Sequence, residues 1–194
     1  GQSDLRVLFD IVPLVYLFFI PAVSMGLIAR ENNLGTMETM STMPIYTYEF
    51  VVGKFLAAFS LILLGLVATS IHLFTLISVG TNVDYGAIFS GYLGLALMGG
   101  TYAAIGTYAS SVTENQVVAF IIGVFIVLVF FMLDKILVFV PHSIAGFVQF
   151  LAVDYHLSNI SRGVIDSRNL VYFFSMIGFF IFLTIQTLEM KRWK

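Results

Sequence analysis

The chain contains no cysteine, one tryptophan and four prolines among 194 residues, and only 10% of it is Asp, Glu, Lys or Arg. Without cysteine there can be no disulfide, no metal–thiolate centre and no cysteine nucleophile. A soluble domain carries about 25% charged residues and 45–50% apolar ones. This chain has less than half that charge and is 59% hydrophobic, so water is not its main solvent. The net charge of −2 comes with no basic run and gives no sign of nucleic-acid binding. The segment Gly1-Gln2-Ser3-Asp4 has no basic start followed by a short apolar core, so it does not read as a signal peptide.

What is abundant is apolar length. Several stretches reach the ~20 residues that cross a bilayer. They predict an all-α, polytopic helical membrane protein with five spans: 12–29, 50–79, 86–108, 117–133 (continuing weakly to Val140) and 170–188. Pro21 is expected to kink the first, which membrane helices tolerate because neighbours re-satisfy the freed carbonyl. The second exceeds ~20 residues and must tilt or project. Lys191, Arg192 and Lys194 form the densest basic cluster. Placing it in the cytoplasm puts Arg30 and Lys54 there too, against Arg6, Lys135, Arg162 and Arg168 on the other side. That five-to-four count gives a multi-pass protein of the cytoplasmic (inner) membrane with a cytoplasmic C-terminus. Gly1 then lies outside, which predicts a preceding span and six in all.

The third span carries small residues in two rows, Ala96, Gly100 and Ala104 beside Gly99, Ala103 and Thr107. Small residues four apart let helices approach closely. The rows read either as packing within the subunit or as a translocation seam or dimer face. Residues 134–168 form an extracytoplasmic segment whose His142–Val153 stretch reads as a re-entrant or interfacial helix. His72 lies within the second span, where an ionisable group is a functional candidate or a neutral ring bonded to a neighbouring helix. His142, His156 and Asp154 lack the i, i+4 spacing of helical metal sites, and Asp166 and Arg168 read as an interfacial pair. Gly53-Lys54 fails as a phosphate loop, because Tyr48 and Phe55 stand where a Gly and a Ser or Thr are required. No catalytic, cofactor or metal site emerges on the chain.

The polar run 30–44, RENNLGTMETMSTMP, is longer than a turn between spans requires. Gly35-Thr36 breaks the chain. Met37, Met40 and Met43 then recur at a period of three, Glu38 lies where a helix dipole favours it, and Pro44 ends the element. This predicts a short cytoplasmic helix parallel to the membrane, with a Met-rich face suited to a partner or the bilayer surface.

These residues carry a resemblance. Pro21-Ala22-x-x-Met25, then Glu31-x-x-x-Gly35-Thr36-x-Glu38, Thr42-x-Pro44 and Tyr48-Glu49-x-x-x-Gly53-Lys54 are similar to the permease subunits of ABC-2 type exporters. Ser161-Arg162-Gly163-Val164-Ile165-Asp166-x-Arg168 and the closing Leu188-Glu189-Met190-Lys191-Arg192-Trp193 resemble the gliding-motility-associated branch of Bacteroidota. The resemblance implies a single permease domain over 1–194 and a partner cytoplasmic ATPase that holds ATP and Mg. It also implies a second permease copy or sister permease and, in this branch, a periplasmic auxiliary subunit. It makes 30–48 the coupling segment, with Arg30, Glu31, Gly35, Thr36, Glu38 and Met40 touching the ATPase. Asn32 and Asn33 stand where relatives carry charge, implying a contact through Met and hydrogen bonds. The competing reading, from a different class, is a non-transporting anchor or scaffold in a motility or secretion assembly.

Overall fold

In lipid every backbone N–H and C=O must be satisfied within the protein, which leaves helices as the spanning element for a chain of this pattern. The computed structural model describes residues 6–36, 45–79 and 84–192, and no strand occurs among them. The helices are α1 (Arg6–Ser24), α2 (Ala29–Leu34), α3 (Thr47–Thr69), α4 (Ile71–Val79), α5 (Tyr85–Val112) and α6 (Gln116–Ile136). A 3-10 turn (Leu137–Phe139) then leads to α7 (His142–Leu151), α8 (Val153–Ser161) and α9 (Ser167–Arg192). Five stretches are long and apolar enough to cross a membrane: Val7–Leu34, Thr47–Ser78, Tyr85–Val112, Gln116–Phe139 and Ser167–Lys191. The chain is a polytopic helical membrane protein.

Span ends differ from the sequence reading. The first begins at Val7 because α1 continues outward through an exposed Asp10, which the apolar pattern left outside. It also does more than kink. Met25 N–H still reaches the Pro21 carbonyl at 2.9 Å, but the helix stops at Ser24 and restarts at Ala29. The second span is two helices, α3 and α4. Around Ser70 the bonds shorten to i, i+3, and the Thr69 and Ser70 hydroxyls bond back to the Leu66 and Val67 carbonyls, a habit of Ser and Thr that bends helices.

Helix α5 is the axis of the bundle, packed by α1, α3, α6, α8 and α9. Asp84 Oδ1 caps its start, accepting from Gly86 and Ala87 N–H at 3.0 and 3.1 Å. At its other end Lys191 Nζ donates to the Ser111 carbonyl at 2.8 Å, a cation where the helix dipole favours one. Apolar side chains gain nothing by leaving lipid for each other, so close packing must hold such a bundle together. Gly99 admits Ile62 of α3 and Tyr16 of α1, Gly100 admits Phe59 and Ile177, and Gly94 admits Leu157 and Ile160 of α8.

The stretch 134–168 holds two helices where one was expected. Helix α7 exposes Ile144, Phe147 and Phe150, as an interfacial helix would. Helix α8 buries Val153, Leu157 and Ile160 against the bundle. His156, at 2% exposure, ties it there. Its Nε2 faces the Phe150 carbonyl at 2.8 Å and therefore carries the hydrogen, since a carbonyl only accepts. Its Nδ1 meets the Asn169 side chain at 2.7 Å, and its ring stacks on Tyr172 at 3.9 Å. His156→Ala leaves these buried polar groups without their partner. It should lower unfolding stability in detergent by about 2 kcal/mol, and a loss within error of zero would refute the tie. The remaining expectations here also change. Asp166 does not pair with the Arg168 guanidinium. Its Oδ1 accepts the Arg168 backbone N–H at 2.9 Å, capping α9. His72 is exposed on α4, and among the described residues its ring has no hydrogen-bond partner on a neighbouring helix. Asp154 bonds to Lys135 of α6 at 2.6 Å, and no metal-binding cluster occurs among the described residues.

Candidate functional site

The break between α1 and α2 leaves backbone groups that no helix satisfies. A single hydroxyl satisfies three of them. Ser110, fully buried on α5, accepts the Ile28 and Ala29 N–H groups at 3.0 and 2.9 Å and donates to the Met25 carbonyl at 2.8 Å. One donor and two acceptor positions are all that a serine hydroxyl offers, and all are used. One turn earlier, Gly106 makes room for Ser24, whose hydroxyl bonds back to the Ile20 carbonyl at 2.7 Å. On the other side of the break, Gly123 of α6 lets Pro21 approach, a Cβ there falling 3.3 Å from the Pro21 Cβ.

Below the break several helix ends converge. Ile28, Val51 and Leu188 form a small second core joining the α1–α2 break, the start of α3 and the end of α9. Glu31 of α2 pairs with Lys54 of α3, whose amine also lies 5.4 Å from the Phe50 ring centre. Both side chains keep more than a fifth of their surface exposed, so the pair contributes less than about 1 kcal/mol and matters for position rather than stability. Gly35 ends α2 in the left-handed conformation at φ 70°, which suits glycine, and the Thr36 hydroxyl reaches back to the Glu31 carbonyl at 3.2 Å. Glu49 Oε2 receives the Tyr46 N–H at 3.1 Å at the start of α3. Between α2, α3 and α6 runs an open groove of about 700 Å³, whose polar lining is Arg30, Glu31, Thr36, Lys54 and Gln116.

Of the expected coupling residues, Arg30, Glu31, Gly35 and Thr36 are together on or just after α2, a helix that lies beyond the expected end of the first span at residue 29 and before the expected helix start at Gly35-Thr36. Glu38 and Met40, with the Met-rich helix expected around them, lie outside the described residues. The small residues of the third span are inside the bundle. Gly99, Gly100, Ala103, Ala104 and Thr107 are buried, and Ala96 is half-buried. They serve several neighbouring helices rather than one face. Sequence reasoning missed Ser110, Gly106 and Gln116, and it read Lys191 as part of a basic cluster without its contact at the end of α5. A hydroxyl one turn from a glycine near a span end was the available signal for Ser110, but nothing in the chain pointed it at a break 82 residues away.

Fold and face together define a multi-pass helical membrane protein with a helix break stapled at its central helix. Residues 7–174 match the family described as ABC-2 family transporter protein, and the chain belongs to that family. Its class is thus a membrane transport component. No curated protein and no solved structure matches it.

Proposed function

We propose that this chain is the permease subunit of an ABC-2 type exporter. It moves substrate across the cytoplasmic membrane using ATP hydrolysed by a separate ATPase subunit, which holds the nucleotide and its Mg. A second permease copy or sister permease completes the pathway. The observation that carries the reading is the convergence of Glu31, Lys54 and the Ser110-stapled break on one face, next in sequence to residues 37–44. An ATPase pressing on that segment pushes on α2 and α3 through the Glu31–Lys54 pair and on α5 through Ser110. Coupling between sites needs such an element with two arrangements, biased by both partners. Arg30, Lys54 and Lys191 gather on the same face, which supports a cytoplasmic orientation for it and for the C-terminus. The narrower assignment to a gliding-motility branch, with its periplasmic auxiliary subunit, rests on the Ser161–Arg168 and Leu188–Trp193 motifs alone.

The test is a charge exchange. Glu31→Lys sets three cations together, and Lys54→Glu adds a second acid beside Glu31. Each single change should lower the ATPase rate of the assembled complex about tenfold, and the double exchange should restore most of it. Glu38→Ala tests the adjoining segment by co-purification of the ATPase subunit. Wild-type rates in both single variants, with the ATPase still bound after Glu38→Ala, would remove the coupling assignment. A scaffold without transport would show no substrate-stimulated ATPase activity in the reconstituted complex.

A further inference from the structure

The groove between α2, α3 and α6 has two chemistries in one space. Its polar lining includes Arg30, Glu31 and Lys54, a net charge of +1 from two cations and one carboxylate. The rest of its lining includes Ala22, Val23, Leu27 and Leu34, which are apolar and continue from the membrane-spanning part of α1 into α2. A volume of about 700 Å³ falls within the range of sites that hold small molecules. A soluble anion has no use for the apolar part, and a neutral lipid has no use for the charge. Basic pockets between spanning helices suit anionic lipid headgroups, and a guanidinium can hold a phosphate through two parallel hydrogen bonds.

We propose that this groove binds an anionic phospholipid, with the phosphodiester at Arg30 and Lys54 and the upper acyl chains along Val23 and Leu27. The site needs no nucleotide and no knowledge of the transported substrate. Lys54 cannot commit wholly to Glu31 when the lipid is present, so occupancy loosens the pair that joins α2 to α3. Lipid composition therefore sets the resting position of α2.

The experiment uses the full-length protein in its native assembly, reconstituted into bilayers carrying a photoactivatable phosphatidylglycerol or the matching phosphatidylcholine. Crosslinked peptides are mapped by mass spectrometry. The phosphatidylglycerol probe should label residues around 22–36 and Gln116 several-fold more than the phosphatidylcholine probe. Arg30→Gln should cut that labelling about fivefold, the effect of one basic side chain at a membrane surface, and Arg30→Lys should keep it. Equal labelling by the two probes, or unchanged labelling in Arg30→Gln, overturns the proposal. Full competition by soluble glycerol 3-phosphate assigns the groove to a free phosphate and also overturns it. Labelling seen only after a docked subunit is stripped away makes the groove a protein contact, with the same consequence. Loss of ATPase coupling in the Glu31 and Lys54 variants with lipid labelling intact in wild type bears on the coupling reading alone.

Discussion

Gly106→Ala should destabilise the protein by about 3 kcal/mol or more, near the upper end for overpacking a close-fitted core. A Cβ at this position overlaps the Ser24 hydroxyl and lies 2.7 Å from the Ser24 Cβ. Ser24 is fully buried and its hydroxyl is bonded to the Ile20 carbonyl, so the side chain has nowhere to turn. The next nearest atom is the Ile20 carbonyl oxygen at 3.9 Å, which is ordinary contact. That ordering gives the prediction a second half. Combining Gly106→Ala with Ser24→Gly should recover most of the loss, although Ser24→Gly alone costs something in helix propensity. Thermal unfolding in detergent, followed by circular dichroism, reads both effects. A single variant as stable as wild type would show that α1 and α5 do not approach closely at this level.

Ser110→Ala should cost about 2 to 4 kcal/mol, since it leaves two buried N–H groups and one carbonyl without partners at once. Its signature differs from that of Gly106→Ala. The bundle stays packed, but the α1–α2 break loses its staple, and the Ile28 and Ala29 amides should exchange with solvent far sooner than in wild type. Hydrogen exchange measured by mass spectrometry over 22–36 reads this directly. Protection of that peptide equal to wild type would mean that the break is held by its own turn and not by α5. Ser110→Cys, with its weaker donor and acceptor, should fall between the two.

The spans were legible because length and apolarity are properties of a single stretch. Their ends and bends were less so. Asp10 shows that a charged residue can ride on a helix at the span's N-terminal end. Thr69 and Ser70 show that two hydroxyls can bend a run that hydropathy reads as continuous. Helix α8 was missed because DYHLSNIS is polar by composition. Its polarity is consumed internally, with His156 bonded to Phe150 and Asn169 and Asp154 to Lys135. The coupling candidates Arg30, Glu31, Gly35 and Thr36 stood out as polar residues in an apolar chain. Their partners did not. Lys54 is 23 residues from Glu31, and Gln116 reaches the same groove from the start of another span. Pairing across such distances is set by packing, which no local pattern encodes.

The glycine-rich axis has a consequence for how the protein is made. Helix α5 is the least apolar of the five spans, and its buried faces carry Ser90, Thr101, Thr107 and Ser110. Such a helix partitions into lipid less readily than its neighbours when the translocon releases it. Two of its partners, α1 and α3, precede it during synthesis, whereas α9, its most extensive neighbour, is translated after all the other described helices. Until α9 arrives, the α5 surface around Gly100 has Phe59 of α3 against it but lacks its other close contact, Ile177 of α9. A nascent chain that stops short of residue 167 therefore leaves in the bilayer a helix whose hydroxyl-bearing faces are only partly covered.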